Sequence, residues 1–390
     1  LFISFTSLLT ITYKITKSKF IKNNTFLREI AEVNLFWTII RIIGFIFATL
    51  VFFQIGPEWI WSADTGGLVL YDLILGLFSI FLFAGLILPF LTEFGMLEFI
   101  GVLLTPVMRP LFGLPGRSSV DAVASWIGDG TIGVSLTNKQ YKEGFYTERE
   151  ASVIATTFSA VSITFSLVVL EQVGLVSLFG PYYLTILASA VVAAIVIPKI
   201  PPLSRKKDEY YDGTKADIGE EIPEGYTNFE WARELALKKA KKSFIAANFF
   251  KNGFKTVTDL WFGVLPVIMA FGTIALVLAE YTPVFQWLGI PFIPLLKILR
   301  VPYAVEASQT IMVGFADMFL PSIIASTIPS EVTRFIVATL SVTQLVYLSE
   351  AGAVILGSDI NITPVDLFLI FIQRTLVTLP VIVFAAYLIF

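Results

Sequence analysis

The chain contains neither cysteine nor histidine. Thiolate nucleophiles, disulfides, zinc or iron–sulfur centres and imidazole proton relays are therefore excluded. Carboxylates, hydroxyls, amides, carbonyls and guanidinium remain, a set that suits hard cations such as Na⁺ or Mg²⁺, or a proton. Several of these groups sit inside apolar runs. Asp129 stands between two glycines in "WIGDGTIG", and Asp317 lies in a comparable segment, "VGFADMFLP". Both are candidate substrate-binding carboxylates, Asp129 also a candidate ion ligand. The residues leave a second reading open, in which each caps a half-helix N-terminus. Thr157 and Ser159, and further along Thr339 and Ser341, are candidate Na⁺ ligands. Gln344 both donates and accepts, which suits a polar substrate. Ser125, Gln309, Glu350 and Arg374 complete the candidate substrate-binding set. Arg374 lies mid-way along "PVDLFLIFIQRTLVTLPVIVFAAYLIF", too deep to reach either surface easily. Arginine keeps its charge, so it is expected to face the interior and meet a carboxylate. Asp317, Glu350 and the carboxylate of an anionic substrate are the candidates.

The elements that must position these groups follow from composition. Of 390 residues 56% are hydrophobic and 15% charged, and several apolar runs exceed the roughly 18 residues a membrane helix needs. The expectation is an all-α polytopic membrane protein. Seven spans are predicted, over 35–55, 68–91, 148–170, 176–198, 257–278, 331–356 and 364–390. Leu1–Thr12 is too short to span and carries no small-residue cleavage site. Two apolar stretches broken by prolines, "GMLEFIGVLLTPVMRPLFGLPG" and "TPVFQWLGIPFIPLLKILRVP", read as helices lying along the membrane surface.

The order of elements repeats: span, surface helix, interrupted segment, span, span. A shift of 188 positions places Pro106, Arg109 and Leu111 on Pro294, Lys297 and Leu299, and Asp129 on Asp317. A shift of 182 places Thr157 and Ser159 on Thr339 and Ser341. With three spans per copy the second enters from the opposite side, giving inverted repeats. The organisation is then an N-terminal segment and first span over 1–56, a first repeat over 68–198, a cytoplasmic linker with an amphipathic helix over 199–252, and a second repeat over 257–390. The interrupted segments, 117–143 and 304–330, read as re-entrant hairpins. An unbroken helix through Gly128–Gly133 would carry several glycines at about 1 kcal/mol each. An ionised Asp at mid-bilayer adds roughly 2.5–3.5 kcal/mol. Irregular backbone at that depth is tolerated where it is buried or lines a cavity. Arg117 and Lys139 are expected to face water or headgroups, and Asp121 and Glu306 to favour hairpin N-termini. Lysines at 14, 17, 19 and 22 and at 238, 239, 241 and 242 place the N-terminus and linker inside. The C-terminus is then outside.

The block "PGRSSVDAVASWIGDGTIGVSLTNKQYKEGFYTEREASVIATTFSAVSI" resembles the YjiH family of bacterial membrane proteins, which carry the nucleoside-recognition or Gate domain. The element order is similar to that of concentrative nucleoside transporters. That resemblance implies a scaffold with a transport core, a homo-oligomer and residence in the bacterial plasma membrane. The nucleoside transporters' substrate-reading motifs are not recognisable, so nucleoside as substrate does not carry over. Without Cys, His or a P-loop, ferrous-iron transport is disfavoured.

The leading expectation is a secondary active transporter for a small polar organic solute, nucleoside-like or amino-acid-like, coupled to Na⁺ or H⁺. No cofactor and no nucleic-acid partner is expected. A sensor or assembly protein that keeps a transporter fold without transporting is the alternative. No nucleophile–base pair is visible, so an enzyme is not expected.

Overall fold

The computed structural model describes residues 1–79, 81–83, 86, 94–127, 130–216, 222–243 and 246–390. Among these residues the architecture is helical throughout, without a sheet. Four helices are long and apolar enough to cross a bilayer: Leu35–Phe53, Val176–Lys199, Gly253–Tyr281 and Pro364–Ile389. Large apolar side chains such as Phe52, Phe384 and Leu388 are exposed on their outer faces, as a hydrocarbon surrounding demands. The chain is an all-α, multi-pass membrane protein.

We label α1 (Phe2–Thr16) and α2 (Leu35–Phe53), which pack together. Arg41 of α2 is buried, and its Nη1 donates to Thr10 Oγ1 at 3.1 Å and to the Ile30 carbonyl at 2.5 Å. The first proline-broken stretch is a single helix, α3 (Met96–Phe112), that runs through Pro106 and Pro110. Two helices, α4 (Ser118–Ile127) and α5 (Gly130–Lys142), follow it and pack on each other as a hairpin. The second stretch is shorter pieces, Val284–Gly289, Ile290–Phe292 and Ile293–Ile298.

Two of the expected spans are not continuous. Residues 148–170 form α6 (Glu148–Thr157) and α7 (Ile163–Gln172). After α8 (Phe179–Val196), the linker helix α9 (Asn228–Ser243), the long α10 (Leu265–Tyr281) and a second hairpin, α11 (Ala304–Ala316) with α12 (Leu320–Ser326), the same happens again. Residues 331–356 divide into α13 (Glu331–Thr343) and α14 (Ala351–Gly357), and α15 (Pro364–Ile389) closes the chain. The starts of α6 and α13 are legible as caps: Thr147 and Glu150 form a capping box, and the Ser330 hydroxyl accepts from Thr333 N. Their ends are not, since neither break contains proline or glycine. The breaks share one geometry. Ala160 N donates to Phe158 O at 2.9 Å, and Val346 N donates to Gln344 O at 2.8 Å. Matching the breaks thus requires a shift of 186, so the 182 register that pairs Thr157 with Thr339 does not superpose them.

The linker begins as a strap. Its backbone accepts from Glu148 N (at Glu209 O, 2.9 Å) and Arg149 N (at Lys207 O, 3.0 Å), and Ala216 N donates to Gly144 O at 2.9 Å. Lys206 pairs with Asp366 at 3.0 Å. Asp359, between α14 and α15, meets Lys142 at 3.0 Å and is hydrogen-bonded to Tyr211. Strap, α5 and the α14–α15 turn are so tied together. Further along, α9 packs on α3, where Gly95 leaves room for the Ala236 carbonyl.

Candidate functional site

The base of the first hairpin is fixed by a buried polar cluster. Arg117 is 5% exposed, not in water as its sequence position suggests, because it lies 3.6 Å over the Phe145 ring and its Nε donates to Gln140 Oε1 at 2.6 Å. Gln140 Nε2 donates to Asp121 Oδ1 (2.5 Å) and the Tyr146 hydroxyl to Asp121 Oδ2 (2.8 Å). Higher up, Ser125 is fully buried against Gly133: a Cβ at position 133 would lie 1.7 Å from its Oγ. Its hydroxyl returns to Asp121 O at 3.1 Å. Ser125 thus joins the two arms to each other.

Asp317 ends α11 and caps the other arm. Its Oδ1 accepts from Phe319 N (2.8 Å) and Leu320 N (3.1 Å), and its Oδ2 accepts from Ser349 Oγ (2.9 Å). Leu348 N and Ser349 N donate to Phe315 O (2.9 Å) and Ala316 O (3.0 Å). The interruption of the second hairpin and the break after α13 are therefore bound as one unit. Gln344 lies behind them. Its Nε2 donates to Ile311 O (3.2 Å) and Thr375 Oγ1 (2.9 Å), and its Oε1 occupies the space a Cβ at Gly314 would need. Gln309 is half-buried on α11, where Gly289 packs on its Cα.

All four interruptions meet at one cavity. Gly130 comes from the first hairpin, Ser159, Val161 and Ser162 from the first break, Met318 from the second hairpin, and Leu345, Tyr347 and Glu350 from the second break. About 10 Å³ is open to the centre of a water-sized sphere, room for one water or one unhydrated ion. Ser159 is 3% exposed and Thr157 also 3%, and neither hydroxyl has a hydrogen-bond partner among the described residues. A buried hydroxyl left unsatisfied costs about 1–3 kcal/mol. Thr339 and Ser341, in contrast, donate to Phe335 O (2.8 Å) and Ala338 O (2.9 Å) of their own helix. Asp129 lies outside the described residues, next to Gly130.

Arg374 is 0% exposed, as its depth requires. Of the expected partners, neither Asp317 nor Glu350 pairs with it: no ion pair among the described residues includes it. Its Nε donates to Thr343 O at 2.9 Å and its Nη1 to Thr156 O at 3.2 Å. Helix carbonyl ends supply the negative charge instead. Sequence reasoning missed Tyr347, which is fully buried with its hydroxyl 2.7 Å from Ser341 O and 2.8 Å from Val342 O. No sequence signal marks it, since the helix end it serves is itself invisible in the sequence.

Residues 74–176 match the family Gate, described as nucleoside recognition. An uncharacterised protein of Alkalihalophilus pseudofirmus is 53% identical over 98% of this chain and 82% of its own length. The chain is a Gate-domain protein, of one family with that relative. No solved structure matches it. The Gate region takes in α3 through α7. It therefore supplies the first hairpin, the first break and the hydroxyls of Thr157 and Ser159.

Proposed function

We propose that the chain is a secondary active transporter for a small polar solute, coupled to a monovalent cation or proton. In this reading the two halves are inverted repeats, the hairpins are re-entrant, and the N-terminus and linker face the cytoplasm of a bacterial cell. The observation that carries it is the convergence of four helix interruptions on a cavity the size of one ion, lined by Ser159, whose buried hydroxyl has no hydrogen-bond partner among the described residues. Thr157 and Ser159 are the cation ligands of choice, with backbone carbonyls of the breaks and with Asp129. The N-terminus of α7 at Ser162 faces the same cavity and favours a polar group on the solute. Asp317, Gln344, Gln309 and Ser125 support the site by shape.

The test is uptake by proteoliposomes containing the purified chain, with labelled nucleosides and amino acids supplied under a Na⁺ gradient, a proton gradient or neither. Gradient-dependent accumulation of one solute is expected. A solute that stabilises the purified protein yet shows no flux under any gradient overturns transport and favours a membrane-embedded sensor.

A further inference from the structure

A helix that stops inside a membrane leaves its last carbonyls without partners, and they carry about half a negative charge. Two such ends lie close together here. Thr343 is the last residue of α13 and Thr156 the next to last of α6. The Arg374 guanidinium bonds to both carbonyls, reaching one broken helix from each half of the chain. The two ends together amount to about one negative charge, which a single guanidinium balances. This is why no carboxylate is needed. Nη2 has no hydrogen-bond partner among the described residues, so the site uses the charge of the group more than its full fork of donors. Tyr347 completes the end of α13 through Ser341 O and Val342 O. The end of α6 has no such second cap among the hydrogen bonds of the described residues, so Arg374 carries more of the load there.

We propose that Arg374 is a resident cation, holding two helix carbonyl ends that without it form a binding site for a small monovalent cation. It is a positioning residue: it sets the spacing of α6 and α13, and through α6 the place of Thr157 and Ser159. The inference concerns the fold of the crossing and holds whatever solute the chain carries.

The experiment is thermal unfolding of the purified full chain in detergent, with Arg374→Lys and Arg374→Met. Both are also made in a Thr157→Val/Ser159→Ala background, so that cation binding at those hydroxyls is removed from the reading. Choline chloride is replaced at constant ionic strength by sodium, potassium or, well below denaturing concentrations, guanidinium chloride. Arg374→Lys is expected to unfold close to its parent and to ignore the cation. Arg374→Met is expected to lose about 5 °C or more in choline and to regain at least half of that loss in one of the small cations. An Arg374→Met protein as stable as its parent overturns the proposal, as does a loss that no cation relieves. If Arg374→Met yields no folded protein, Arg374→Lys decides alone. A normal unfolding temperature supports a charge requirement, and failure of the Lys variant as well overturns it.

Discussion

Ser349 donates its hydroxyl to Asp317 Oδ2 at 2.9 Å, across 32 positions of sequence. That one bond ties the interruption of the second hairpin to the break between α13 and α14, while the other carboxylate oxygen caps α12. Asp317→Ala removes all three bonds and strands the donors. It should cost roughly 2–4 kcal/mol of stability, read as a fall in unfolding temperature. Asp317→Asn keeps an acceptor for the cap and should cost less than half as much. Unchanged stability in the Ala variant would mean that the carboxylate is held for a ligand and not for the fold.

The unpartnered hydroxyls predict an unusual stability pattern. Ser159→Ala and Thr157→Val remove buried donors that have no partner among the described residues, so without a coupling cation both variants should be as stable as the parent or slightly more so. A cation that binds the folded state raises stability by RT ln(1 + [L]/Kd), about 2.7 kcal/mol at a hundredfold excess over Kd. Replacing choline with sodium should therefore raise the unfolding temperature of the parent and leave both variants flat. Equal sodium responses in all three proteins would remove these residues from the cation site.

Gly133 and Gly314 each permit a close approach at the hairpins. Gly133 faces Ser125 across the first hairpin, and Gly314 faces Gln344. Alanine at 133 should push the arms apart at a cost of about 1–3 kcal/mol. At 314 it displaces an amide with two hydrogen bonds and should cost as much again. Pairing Gly314→Ala with Gln344→Ala frees the space and should recover part of the loss; a strictly additive double mutant would refute the contact.

The strap at Asp359 predicts a pH dependence. The charge of Asp359, followed by partial burial, raises the Tyr211 phenol above its ordinary value. A raised pKa contributes stability that is complete below the unfolded-chain value of about 10. It is lost as pH rises through the folded value, because phenolate then faces carboxylate. The difference in unfolding temperature between the parent and Tyr211→Phe should be largest near neutrality and shrink in alkali. A difference that grows with pH contradicts the pairing.

Sidedness has a direct test in a chain without native cysteine. Asp64 and Lys238 are both exposed, on the loop after α2 and on α9. Asp64→Cys in intact cells should react with an impermeant thiol reagent, and Lys238→Cys should react only after permeabilisation. The reverse pattern inverts the topology.

Composition and periodicity alone determined that this is a helical membrane protein, because burying long apolar runs in lipid leaves the backbone little choice but the helix. The hairpin pairing of Ser118–Ile127 with Gly130–Lys142 and the stop at Asp317 were also legible, since glycine density and mid-membrane carboxylates are local penalties. The breaks after Thr157 and Thr343 were not. Their residues have ordinary helix propensities, and what unwinds them is satisfaction from elsewhere: Phe315 and Ala316 carbonyls taken up by Leu348 and Ser349, helix ends taken up by Tyr347 and Arg374. The same limit explains Arg374. Its depth and so its burial were legible, but two helix termini together balance its charge as one carboxylate would, and they leave no residue type to read. Tertiary structure also separated hydroxyls that look alike in sequence. Thr339 and Ser341 bond within their own helix, whereas Thr157, the last residue of α6, and Ser159, just beyond it, have no hydrogen-bond partner among the described residues.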